Sequence, residues 1–195
     1  MKTSVKTLFA LLTGIFFLSS TAAVRAAEPA SYITTLSSVK DIKKIVVSGN
    51  VNLLLVQDDV ERVKVYDKYY SKNALVQQQG GTLRISSHAE RPLSIVVYVK
   101  ELNSIEANNQ AKVRTEGCFR LLNLDVKLQD HATADLNAKT VSLFTSVQGA
   151  AELKIAGTTD QHSIQMCDLG NLTMDSFAAN ETVIASRPAV ALANR

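Results

Sequence analysis

From about residue 40 onward, apolar and polar positions alternate, and the alternation recurs as a template. In Leu128-Gln-Asp-His-Ala-Thr-Ala-Asp-Leu136, the apolar Ala132, Ala134 and Leu136 are separated by Thr133 and Asp135. Leu128 and Val126 stand just before the turn residues Asp130-His131. The same template falls on Ile105, Ala107, Ala111, Val113 and Thr115, then on Thr145, Val147, Ala151, Leu153 and Ile155. A further copy reads Ile164, Met166, Gly170, Leu172 and Met174. Measured on Ala111, Ala132, Ala151 and Gly170, the steps are 21, 19 and 19 residues, with the two extra residues around Gly117-Cys118. Val183 and Ala185 continue the 19-residue step before Arg187-Pro188 ends it. A fixed period near 20 without helical spacing is the mark of a β-solenoid. A leucine-rich repeat would show a recurrent Leu-x-x-Leu-x-Leu with an asparagine, which these copies lack.

Side chains alternate faces along a strand, and neighbouring strands lie about 4.8 Å apart. The template therefore predicts inward columns: Ile105, Val126, Thr145, Ile164; Ala107, Leu128, Val147, Met166; and Val113, Ala134, Leu153, Leu172. The outward columns carry mixed charge, Arg114, Asp135, Lys154, Thr173 in one and Lys112, Thr133, Glu152 in another. That is what a solvated face needs. The first copy of the template is Val47-Ser-Gly-Asn-Val51, with Gly49 and Asn50 suited to the positive φ of a tight corner.

Residues 56–100 read as β but less regular. Val63 and Val65 alternate in one strand; Gly80-Gly81 joins two others; residues 94–99 form a β-branched strand. Tyr66, Tyr69 and Tyr70 are the candidate contact residues, although aromatic side chains covering an open sheet end explain them as well.

Residues 1–26 read as a signal peptide: Lys2 and Lys6 precede an apolar run from Leu8 to Leu18, and the cut is expected after Ala26. The run falls short of the roughly 20 apolar residues of a membrane span. Cleavage removes Lys2, Lys6 and Arg25, so 18 basic residues face 18 acidic ones. No electrostatic case for nucleic acid or an anionic membrane remains. Cys118 and Cys167 fall at different places on the cross-section, which argues against a bridge. Asn109, Asp130 and Asp168 share a column that could offer oxygen ligands to calcium, but Gly149 interrupts it and corner residues explain it more simply. His88, His131 and His162 are far apart in register, so no zinc cluster and no cofactor is expected. Glu106, Asp125 and Asp160 do not group as a glycosidase pair would, and no nucleophile elbow or phosphate loop occurs. No catalytic or metal-binding residue is assigned.

The chain resembles the GIN-type head domain of auto-transporter adhesins, exported bacterial domains. The resemblance rests on Ile45-Val-Val-Ser-Gly-Asn-Val-Asn-Leu53, Gly81-Thr-Leu-Arg-Ile85 and Ser94-Ile-Val-Val-Tyr-Val99, and continues through Leu102-Asn-Ser-Ile105 into the repeats. The family's Ser-Gly-Ser-Gly corners are approached only at Ser48-Gly49 and Gln148-Gly149. It implies a right-handed parallel β-helix without an established activity.

The expectation is thus an all-β protein: a single-stranded right-handed parallel β-helix with coils of about 19–21 residues. It would span residues 39–186, after a signal peptide (1–26) and a lead-in (27–38), with a tail at 187–195. Its expected role is that of a non-enzymatic, exported binding module, periplasmic, at the cell surface or secreted, with a glycan or surface protein as candidate partner. Two alternatives are an assembly module acting through open β-helix edges, near Val183 and Ala185, and a carbohydrate-processing β-helix enzyme.

Overall fold

The computed structural model describes residues 33–66, 74–167 and 169–185, which belong to one compact unit, Ser31–Arg195. These residues form fourteen strands and no helix. The strands are β1 (Ile33–Leu36), β2 (Lys44–Gly49), β3 (Val51–Gln57), β4 (Arg62–Tyr66), β5 (Ala74–Gln79), β6 (Thr82–Ser87) and β7 (Leu93–Val99). They continue as β8 (Ser104–Asn108), β9 (Lys112–Glu116), β10 (Phe119–Arg120), β11 (Asn123–Leu128), β12 (Thr133–Val147), β13 (Glu152–Met166) and β14 (Asn171–Ile184). All fourteen belong to one curled sheet.

Two parallel ladders organise the sheet. One runs β6, β2, β8, β11 and the second half of β12; the other runs β7, β3, β9 and the first half of β12. A single strand joins them: β12 pairs with β9 at residues 133–135 and with β11 at residues 142–147. β13 and β14 then stack along the length of β12. Parallel neighbours need a long crossover, and here each ladder supplies the crossover of the other.

The register agrees with the inward columns. Val126 faces Ile105 and Thr145, Leu128 faces Ala107 and Val147, and Ala134 faces Val113 and Leu153. Both ladders send their apolar positions into one hydrophobic cluster, with Thr145 buried beside it. The 21-residue step also lies where its extra residues were expected. Asp135 pairs with Arg114, whereas Ala138 pairs with Phe119, so the excess falls between Arg114 and Phe119.

The corners follow from backbone sterics. Gly49, Asn109, Asp130 and Gly149 all have φ between 60° and 82°, a region that only glycine and, less readily, Asn and Asp enter at low cost. Gly49 has a second reason to be glycine, since a Cβ there would lie 2.0 Å from the carbonyl oxygen of Ser87.

Three features depart from the sequence expectation. First, the order of winding is not consecutive. β2 lies between β6 and β8, and β3 between β7 and β9, so the segment forming β4 to β7 doubles back before the stack resumes. Secondly, residues 33–36 of the expected lead-in form β1, antiparallel to β4. Thirdly, the pairing of β14 with β13 shifts between Lys154 and Ala156, opposite Thr173 and Ser176. That extra residue leaves Met174 37% exposed rather than inward. It also places Ile184, not Val183, opposite Ile164, so the last step is 20 residues. A one-residue slip exchanges the two faces of a strand.

Candidate binding surface

Of the three candidate tyrosines, only Tyr66 lies within the described residues. Tyr66 ends β4, where it is 40% exposed and pairs with Ile33 and Ser94; Tyr69 and Tyr70 lie outside the described residues. The aromatic ring that does organise this region is Tyr98 of β7. The Arg62 guanidinium lies 3.6 Å from its centroid and the Lys64 ammonium 5.3 Å away. Arg62 also binds Asp58 at 2.9 Å. Asp58 is held below the usual carboxylate range, first by the backbone N–H of Val60 and then by Arg62.

A groove of about 600 Å³ lies on another part of the surface, where β10, β12 and β13 turn from one ladder to the other. Strand alternation puts Lys139 and Val141 outward and buries Thr140 between them; Thr158 and Asp160 flank buried Thr159 in the same way. Stacking then builds two outward rows. One is Arg120, Lys139, Thr158 in register; beside it lie Leu122 and Val141, joined by a backbone hydrogen bond, and Asp160, all lining the groove. Leu122 is 73% exposed and Val141 48%.

The floor is fixed by hydrogen bonds. Thr140 Oγ1 donates to Thr159 Oγ1 at 2.8 Å, and the backbone N–H groups of Val141 and Ser142 both donate to the Leu122 carbonyl at 3.0 Å. The Gln57 side chain clamps the first row: its Oε1 accepts from Arg120 N at 2.9 Å, and its Nε2 donates to the carbonyls of Arg120 and Lys100. Sequence reading missed this site. Its signal was available as two aliphatic residues, Leu122 and Val141, one repeat apart at outward positions.

The charges around the groove are not equivalent. Glu101 is bound by Lys43 at 2.6 Å, which holds its carboxyl low, and Asp160 accepts from Asn180 Nδ2 at 2.9 Å. Arg120 and Lys139 take part in no ion pair among the described residues. On the neighbouring face, burial pushes Glu106 up, but the hydrogen bond and charge of Lys44 and the charge of Lys127 outweigh it and hold the group low.

The remaining candidate residues are dispersed. Asp130 Oδ2 accepts from the Asn109 backbone N–H at 3.1 Å, a corner contact, and Asp168 lies outside the described residues. No group of three metal-ligating side chains occurs among the described residues, and Cys118 and Cys167 are free thiols. His162 is buried in an inward column between Leu143 and Thr182. Its Nε2 lies 3.0 Å from Thr145 Oγ1, its ring meets Phe177 edge-on at 5.2 Å, and burial lowers its pKa.

These features define an all-β scaffold of stacked parallel strands with a preorganised groove at one corner. Residues 41–188 match the family model described as "Putative auto-transporter adhesin, head GIN domain", and the chain belongs to that family. Solved structures share the fold at low identity. A putative adhesin from Parabacteroides distasonis ATCC 8503 has a TM-score of 0.59 at 16% identity, covering 80% of this chain and 77% of that one. A putative adhesin from Parabacteroides merdae ATCC 43184 has a TM-score of 0.58 at 11% identity, with coverage of 80% and 77%. A third, described as a putative lipid binding protein from Parabacteroides distasonis ATCC 8503, gives 0.55 at 14% identity, with coverage of 80% and 78%. No curated protein matches the chain. No helix among the described residues is long and apolar enough to cross a membrane.

Proposed function

We propose that the chain is an exported, adhesin-like binding module without enzymatic activity, built as a right-handed parallel β-helix with coils of about 19–21 residues. Residues 1–26 act as its signal peptide, and it works in the periplasm, at the cell surface or after secretion. Its role is to present a rigid outer face to a glycan or a surface protein. The observation that carries this reading is the corner groove, where Leu122, in the bend between β10 and β11, and Val141 of β12 remain exposed. Exposed apolar side chains grouped beside polar ones are the usual sign of a contact site. Family membership supports the adhesin-like class.

A second reading, assembly through the last strand, is favoured by one observation: Val183 and Ile184 of β14 are largely exposed. Unpaired strands invite partners. The two readings separate in one experiment. The chain beginning at Ala27 is screened on glycan and surface-protein panels beside light scattering at several concentrations. Saturable binding by a monomer supports the binding module. A concentration-dependent oligomer that binds neither panel supports assembly and removes the first reading.

A further inference from the structure

We propose that the corner groove binds an extended acidic peptide segment of the form acid-x-aliphatic, with the acid on Arg120 and Lys139 and the aliphatic side chain on Leu122 and Val141. This deepens the binding-module reading and rests on it. The argument begins with spacing. Lys139 and Val141 are two positions apart on β12 and face the same way, about 6.6 Å from each other at the rise of a β-strand. Residues i and i+2 of an extended peptide have the same separation. A peptide lying along the strand direction therefore sets alternate side chains on the two rows.

Charge selects the first of those side chains. Of the two anions at the groove, Glu101 is neutralised by Lys43, whereas Asp160, which accepts only the neutral Asn180 amide, keeps its charge but lies outside the Arg120–Lys139 row. Arg120 and Lys139 are register partners, so both cations can meet one carboxylate. The Arg guanidinium supplies a planar fork of donors for it. Some cations elsewhere on the stacked strands are neutralised within the chain, Arg114 by Asp135 at 3.8 Å and Lys44 by Glu106 at 2.7 Å, but Arg120 and Lys139 stand as a register pair beside an exposed aliphatic pair.

The apolar row selects the second side chain and the class of ligand. Leu122 and Val141 offer aliphatic surface, and no aromatic ring among the described residues lines the groove. Sugar rings pack their C–H faces against aromatic side chains, so the lining suits a Leu, Val or Ile of a peptide better than a pyranose. A lipid chain continuing past Leu122 and Val141 would meet Asp160, whose charge it could not satisfy. The clamp by Gln57 and the Thr140–Thr159 hydrogen bond hold the rows in place before a ligand arrives, which lowers the ordering cost of binding.

The test uses the chain from Ala27 and a fluorescein-labelled peptide, Gly-Ser-Glu-Thr-Leu-Ser-Gly, followed by anisotropy. A Kd on the order of 10–100 μM is expected for so short a ligand. Replacing the peptide's Glu by Gln, or its Leu by Ser, is expected to weaken binding about tenfold. The double variant Arg120→Glu with Lys139→Glu is expected to do the same for the Glu peptide and to weaken with added salt less than the native chain does. Both substituted residues are exposed, and thermal unfolding followed by circular dichroism verifies that the variant folds. Equal binding of the Gln peptide, or unchanged binding by the double variant, overturns the assignment. So do tighter binding of a uronate oligosaccharide or of phosphatidylglycerol vesicles, and the absence of saturable binding up to about 1 mM. If the double variant keeps every interaction that the native chain shows on the glycan and surface-protein panels, the groove assignment falls and the binding module stands. If the native chain binds neither panel nor peptide, both fall.

Discussion

At one end of the stack, β6 and β7 are covered by antiparallel strands: β5 returns along β6, and β4 along β7 with β1 beyond it. At the other end, β14 pairs only with β13 among the described residues, and its register is broken by the shift opposite Lys154 and Ala156. Burial follows the same division. Ile95 and Leu83 near the first end are sealed, whereas Ile184, which continues the inward column of Ile164, is 70% exposed. An antiparallel hairpin can cover a parallel ladder because it needs only a tight turn, here Gly80 at φ 57°. A parallel strand added last leaves its outer hydrogen-bonding groups for something else. Among the described residues, the first end is capped by antiparallel strands whose own outer edges, on β1 and β5, are unpaired, and the other end stops at a parallel strand whose bulge hinders regular pairing in its first half.

The largest test of this contrast compares truncations at the two ends. Ile95 lies between Leu53 and Val65 in register and is buried. Ile95→Ala is expected to cost about 2–5 kcal/mol, and Ile184→Ala less than about 0.5 kcal/mol, both read from urea unfolding. Corner substitutions come next. Gly49→Ala forces a Cβ onto the Ser87 carbonyl at positive φ and is expected to cost at least about 2 kcal/mol. Asp130→Gly loses one corner hydrogen bond but relaxes its backbone, so it should stay within about 1 kcal/mol of the native chain.

A smaller effect concerns His162, one strand from the open end. Burial lowers its folded pKa below 6.5, so as pH falls through 6.5 the unfolded chain takes up a proton that the folded chain refuses. Its contribution is complete above that value and declines below it. His162→Leu, which extends the Leu124 and Leu143 column, should flatten that part of the melting temperature against pH between 7.5 and 5. An unchanged profile would show that the imidazole is not what titrates. The smallest effect is expected on the outward charge column. Arg114→Ala breaks an exposed pair with Asp135 and should change stability by less than about 0.5 kcal/mol.

Much of this arrangement was legible in the residues. Period-two alternation at Ala132, Ala134 and Leu136 determines which side faces in, and the 19- and 21-residue steps determine which residues become neighbours. Gly80-Gly81 announced the β5–β6 turn. Alternation does not say which ladder neighbour a strand selects, however. That is why the placement of β2 between β6 and β8 was not foreseen. The slip in β14 was hidden for a related reason: Met174 continues the template in spacing, and only the pairing with β13 reveals the extra residue. The groove escaped notice because its chemistry belongs to no motif. Leu122, in the bend before β11, and Val141 of β12 are ordinary residues at exposed positions where polar ones would be expected.

Amide hydrogen exchange of the chain from Ala27 tests the difference between the ends most directly. Protection is expected to be high through β6, β2, β8, β11 and β12, and to remain high in β7 beneath β4. In β14 it should drop sharply, with residues 178–184 exchanging orders of magnitude faster than their partners in β12. Protection of β14 equal to that of β12 would contradict the account, because the last strand would then be as fully covered as one paired on both sides.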